Sequence, residues 1–84
     1  MTNEEKRAKG GRAKNLLENE LLIEAYEIQE KTLINAWKDD RNSKEEREVL
    51  WNLYQGVLGA QEFLRKVLIT GNDAAKEIQR QLQK

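Results

Sequence analysis

Cysteine, histidine and proline are all missing from the 84 residues. Without cysteine there is no disulfide, no thiolate metal site and no thiol nucleophile. Without histidine the chain lacks the commonest general base and the commonest zinc ligand. Without proline it lacks the residue that most firmly breaks a helix. Ser43 is the only serine, and neither histidine nor a suitably placed lysine is available to activate it. Apolar runs are short, well under the roughly 18 residues that read as a membrane span. The opening stretch MTNEEKRAKGGRAK has no apolar segment of the kind a secretory signal needs.

What remains is a helix-forming alphabet. Charged residues make up 36% of the chain, and Glu, Lys, Arg, Gln, Leu and Ala dominate, all of them good helix formers. One domain is expected at this length, with a core so small that a partner chain is a natural supplement. The net charge is zero, but it is unevenly spread. Lys6, Arg7, Lys9, Arg12 and Lys14 oppose Glu4 and Glu5 at the start, residues 15–50 are acidic, and residues 51–84 turn basic again. Such a pattern suits a nucleic-acid arm, protomers that attract end to middle, or simply a solvated helix surface.

Thr2-Asn3-Glu4-Glu5 has the form of a capping box, so a short helix is predicted from Asn3. Gly10-Gly11 is expected to interrupt it, since each glycine costs a helix about 1 kcal/mol relative to alanine. Residues 1–11 are therefore read as a mobile basic arm, and residues 12–84 as an all-α helical hairpin with a short C-terminal helix. The first long helix is predicted from Arg12 or Asn15 to Lys38. Its apolar stripe is Leu22, Ala25, Tyr26, Gln29, Leu33, Ala36 and Trp37, widened by Leu21, Ile28 and Thr32. Leu16, Ile23 and Ile34 fall on another side and call for a third helix or another chain.

Residues 38–42 form a polar connector, and Ser43-Lys44-Glu45-Glu46 is a second capping box. The second long helix is expected from Lys44 to about Thr70, with Leu50, Leu53, Tyr54, Val57, Gln61, Leu64 and Leu68 as its core stripe. Gly71 is a natural stop, after which Asn72 or Asp73 caps a last helix from Ala74 to about Gln83. A connector this short favours an antiparallel pair.

Few residues invite chemistry. Glu20, Glu24, Glu27 and Glu30 form a carboxylate ladder that would bind a metal only if other ligands converged on it; a solvated face is the simpler reading. Gly10-Gly11 has no strand before it and no Lys-Ser or Lys-Thr after it, so it is no phosphate loop. Trp37 and Trp51 flank the connector and are expected to meet at its tip, closing the core or anchoring a partner. Gly56 and Gly59, beside Ala60 and Phe63, would let another helix approach closely. Lys76, Arg80 and Lys84 recur every four residues and, like the basic start, suit non-specific phosphate contact. No enzyme, cofactor, metal or small-molecule substrate is expected.

Taken together, GRAKNLLENELLIEAYEIQEKTLINAWKDD followed by EEREVLWNLYQGVLGAQEFLRKVLITG resembles a family of small helical proteins of tailed bacteriophages. The matching positions are Arg12, Ala13, Leu16, Leu17, Leu21, Glu24 and Ala25, then Ala36 with Trp37, then Glu46, Arg47, Leu50 and Trp51, with Gly71 at the close. The resemblance spans about Gly11 to Gly71. It implies a viral protein of the virion or host cytoplasm with a place in head assembly or DNA packaging, and brings no established activity with it. The expected function is virion assembly through helix packing against itself or a larger virion protein. The alternatives are a DNA-packaging accessory resembling a small terminase subunit, or an effector that blocks a host protein. The residues expected to meet a protein partner are Leu16, Ile23, Ile34, Trp51, Gly56, Gly59 and Phe63; Lys6, Arg7, Lys9, Arg12 and Lys14 would meet nucleic acid.

Overall fold

A computed structural model describes residues 1–83, which form three helices, α1 (Asn3–Leu17), α2 (Glu20–Trp37) and α3 (Lys44–Leu82). No strand occurs among the described residues. Each helix begins on a side-chain cap. The Thr2 hydroxyl accepts from the Glu5 N–H at 3.1 Å, the Asn19 side-chain Oδ1 from the Leu22 N–H at 3.0 Å, and the Ser43 hydroxyl from the Glu46 N–H at 3.1 Å. Caps of this kind satisfy N–H groups that have no carbonyl partner within the helix.

The connector between α2 and α3 is fixed by its own polar residues. Arg41 donates from Nε at 3.0 Å and Nη2 at 2.7 Å to the two carboxylate oxygens of Asp39. This pairing, with the Arg41 backbone N–H, holds the Asp39 carboxyl below its ordinary range. Asn42 turns inward and donates to the Ala36 carbonyl, tying the connector to the last turn of α2.

Partners along α3 come in reversed order. Trp37 at the end of α2 lies against Arg47 near the start of α3. Glu30, two turns earlier, accepts from Gln61 Nε2 at 2.6 Å. Leu22 and Tyr26 share a groove with Gln61 and Arg65. Beyond that, α1 takes over as the neighbour of α3, with Asn3 and Lys6 beside Thr70, Asp73 and Ala74. The inward residues of α3 are Leu50, Tyr54, Val57, Gln61, Leu64, Leu68, Gly71, Ala75 and Ile78, all at least half-buried. They alternate steps of four and three, the seven-residue repeat of a helix that winds around a neighbour.

Several expectations are corrected here. Gly10-Gly11 does not break a helix: α1 runs through both, and residues 3–11 are helical rather than a free arm. Gly71 does not stop α3, which continues to Leu82 and absorbs the separate C-terminal helix. The break falls instead at Glu18–Asn19, where Asn19 caps a new helix, so the segment from Arg12 to Lys38 is two helices. Leu53 is 54% exposed and lies outside the core stripe.

One close approach accounts for both glycine corrections. Gly10 and Gly71 face each other, both buried, and their backbones touch. A Cβ added at Gly71 would stand 2.7 Å from the Gly10 Cα and 3.0 Å from the Lys6 carbonyl oxygen. A Cβ at Gly10 would meet the Gly71 Cα at 2.7 Å as well. Ala13 and Ala74, 3% and 4% exposed, are the only buried hydrophobic residues among those described. Tight packing of the two helices at this point offsets the helix propensity that glycine lacks.

The glycines therefore divide into two kinds. Gly11 and Gly59 have open space where a Cβ would go, so Gly11→Ala and Gly59→Ala should stabilise the fold by about 0.5–1 kcal/mol each. Gly71→Ala gains the same propensity but forces the backbones apart, with an overpacking cost of about 1–3 kcal/mol. Urea unfolding followed by circular dichroism at one fixed protein concentration should show opposite signs for the two classes.

Candidate functional site: unpartnered apolar faces

The molecule measures 64 × 24 × 15 Å, so it is one helix thick. Its radius of gyration is 18.1 Å, against about 12 Å for a compact domain of this length. A single layer gives each helix one neighbour along most of its length, and every other side faces solvent. The consequence is visible in the large side chains. Trp37, Trp51, Leu53, Phe63 and Ile69 are all at least 44% exposed, and Leu21 is 75% exposed.

The accessible surface is 6728 Å² for 9.8 kDa; a folded monomer of that mass exposes about 5,200 Å². The chain hides only about half of its extended-form surface, where even a 60-residue domain hides about 60%. The excess, about 1,500 Å² per chain, is of the size that stable protein interfaces cover.

The residues expected to meet a partner do not gather on one surface. Leu16 and Ile23 meet at the junction of α1 and α2, in a groove of about 290 Å³ also lined by Leu17, Tyr26 and Arg65. Ile34 and Trp51 lie further along, in a groove of about 210 Å³ shared with Leu33, Trp37, Leu50 and Tyr54. The two tryptophans do approach across the tip, but neither is enclosed. Trp51 packs against Tyr54, ring centroids 5.9 Å apart and tilted by 42°. Arg47 lays its guanidinium over Trp37 at 5.6 Å, with Nε buried and without a hydrogen-bond partner.

Gly56 and Phe63 lie on the other side of α3. Nothing approaches within 4 Å of a Cβ built at Gly56 or Gly59. Phe63 is 57% exposed and has the Lys9 ammonium 5.8 Å from its ring centre.

The basic residues of the start are spread around α1. Lys6 and Lys9 are half-buried along α3, Arg7 pairs with Glu4 at 2.8 Å, and Arg12 and Lys14 are exposed. Lys84, named with Lys76 and Arg80 for phosphate contact, lies outside the described residues. The carboxylate ladder stays open to solvent except at Glu30, which is tied to Gln61. No three His, Cys, Asp or Glu side chains converge on a metal-sized site among the described residues. No helix among them is long and apolar enough to cross a membrane.

Sequence reasoning missed the exposure of Leu21, Ile28 and Leu53 because each extends an apolar stripe that also contains inward residues. The signal was present as a width: a stripe broader than one neighbouring helix can cover. No family model, curated protein or solved structure matches the chain.

The groove between the tryptophans is lined by apolar and aromatic side chains with Lys38 as its one charged neighbour among the described residues, and this generates a measurable property. An apolar fluorescent dye should bind there and quench tryptophan emission. Trp51→Ala should weaken that binding severalfold, while Arg12→Ala, far along the chain, should leave it unchanged.

Proposed function

We propose that this chain is a non-enzymatic assembly protein, an antiparallel helical hairpin that works by packing against itself or against a larger protein. The observation that carries the reading is the excess of about 1,500 Å² of accessible surface over that of a folded monomer of equal mass. It is rich in large apolar side chains on both broad sides of the layer. A hairpin of three helices with two alanines as its only buried hydrophobic residues among those described has little to offset the conformational entropy of ordering the chain. A partner that covers those sides supplies the missing burial.

The setting that fits is the one the bacteriophage resemblance suggests, a component of the particle or of its construction in the host cytoplasm. Repeated helical packing is the work of such a part. The nucleic-acid reading has less to stand on. Its five cations belong to a docked helix instead of a free arm, and Arg7 is already paired.

The reading makes stability depend on association. Helicity and melting temperature should both fall as the protein is diluted from micromolar to nanomolar concentration, or rise on addition of its virion partner. A species shown by light scattering to be monomeric, yet unfolding cooperatively at an unchanged temperature on dilution, would overturn it. Retardation of DNA at low salt, lost when Lys6, Arg7, Lys9, Arg12 and Lys14 are changed together to alanine, would favour the packaging alternative.

A further inference from the structure

We infer that a second copy of this chain covers one particular broad side of the hairpin, with α3 crossing the partner's α3 antiparallel about residue 58. The inference rests on the packing reading above and names its surface and occupant.

Beside the inward row of α3 runs a second row one residue earlier: Val49, Leu53, Gly56, Ala60 and Phe63. It has the same alternation of four and three, and all five are exposed. Beside the inward residues of α2, Leu22, Tyr26, Glu30 and Leu33, runs another row, likewise exposed: Leu21, Ala25 and Thr32 one residue earlier, and Ile28 two earlier. One residue turns a helix by about 100°. In two antiparallel helices that share a seam, a step back by one residue rotates both rows toward the same broad side. The two uncharged rows therefore form one continuous apolar face, and a seven-residue repeat is what another helix requires of its partner.

Three observations favour a second copy as the occupant. The first is area: one of the two broad sides holds about half of the excess, so covering it on two copies hides a total of about 1,500 Å², the size of a stable interface. The second is self-complementarity. A two-fold axis perpendicular to α3 at residue 58 sets Gly56 against the partner's Ala60, and Leu53 against the partner's Phe63. Small residues thus meet at the crossing and large ones meet on either side, as a surface shared by both copies demands. The third is charge. Lys6 and Lys9 border this face near Thr70 and Phe63. The same axis sets Thr70, and with it Lys6, toward the partner's Glu46, which is exposed at the start of α3. The uneven distribution of a net-neutral chain becomes attraction between its two ends in this arrangement.

The test combines light scattering with directed cross-linking. Wild type should be a dimer at micromolar concentration. Ala60→Glu should be at least tenfold weaker in self-association, whereas Gln55→Glu, on the opposite side of α3, should not change it. Circular dichroism at concentrations where wild type is dimeric reports whether each variant keeps helix. A mixture of Gly56→Cys and Ala60→Cys chains, in a protein with no other cysteine, should oxidise mainly to the mixed disulfide. A wild type that is monomeric at all concentrations would overturn this inference but leave a heterologous partner in place. Self-association unaffected by Ala60→Glu, or links joining position 56 to position 56, would overturn the face and orientation while leaving assembly itself intact. A stable monomer under dilution sinks both.

Discussion

Two helical backbones touch at Gly10 and Gly71, and the docking of α1 along α3 depends on that touch. Without it α1 has little reason to lie on α3. Its inward residues are Asn3, Lys6, Gly10, Ala13 and Leu17, of which only Leu17 is a large hydrophobe. A helix so polar gains little from burying side chains. It gains from close backbone approach, where many weak dispersion contacts add up and no side chain must be accommodated. Ala13 and Ala74 extend the same principle on either side. The far half of α3, residues 65–82, is covered by this approach and not by the larger side chains of α2.

A layer one helix thick imposes the second condition. Side chains on the seam can be half-buried, but two neighbours cannot enclose a tryptophan or a phenylalanine. The exposed aromatic residues follow from architecture and do not signal poor packing at the seam. Leu50, Tyr54, Leu64 and Leu68 lie inward and half-buried, while their immediate neighbours Val49, Leu53, Phe63 and Val67 form the next row round the helix. Of these, only Val67 is half-buried, because α1 leans across it. The apolar width of α3 thus exceeds what α1 and α2 can cover, and the surplus from Val49 to Phe63 is uncharged over about four turns.

Much of this was legible in the sequence, and the failures have one source. The capping boxes at Thr2 and Ser43 located two helix starts because a cap is a local event, decided within four residues. The polar connector and its reversal followed from the same local logic. The glycines failed because their effect is not local. Intrinsic propensity makes Gly10 and Gly71 weak points, and nothing within a turn of either shows that the other will arrive opposite it. Their separation of 61 positions in the chain hides a pairing that exists only once the chain has reversed. Asn19 failed for the opposite reason. An asparagine in an amphipathic run is tolerated within a helix, yet here it is a cap, and the five-residue step from Leu17 to Leu22 was the trace it left. Of the candidate surface, Gly56 and Phe63 were named for a partner, whereas Leu21, Ala25, Ile28, Thr32 and Leu53 were given to the core stripes, since their exposure depends on which row faces the seam.

Polar residues in the seam have a further consequence. Arg47 and Gln61 occupy inward positions where leucine would bury more area, and Gln61 spends its amide on Glu30. A uniform row of leucines at this spacing is equally content one heptad up or down, or paired with another copy of itself. A buried hydrogen bond between unlike positions penalises those slips, because each leaves a polar group without its partner. The Gly10–Gly71 pairing acts in the same sense, since a shift of one heptad brings Ile78 or Leu64 against Gly10 where only a glycine fits. Both features fix the register of the helices, the polar pair in place of apolar burial and the glycine pair in place of intrinsic helix propensity. A fixed register is what holds the outer rows of α2 and α3 on a common face, so the weakness of the seam and the order of the surface are two results of one choice of residues.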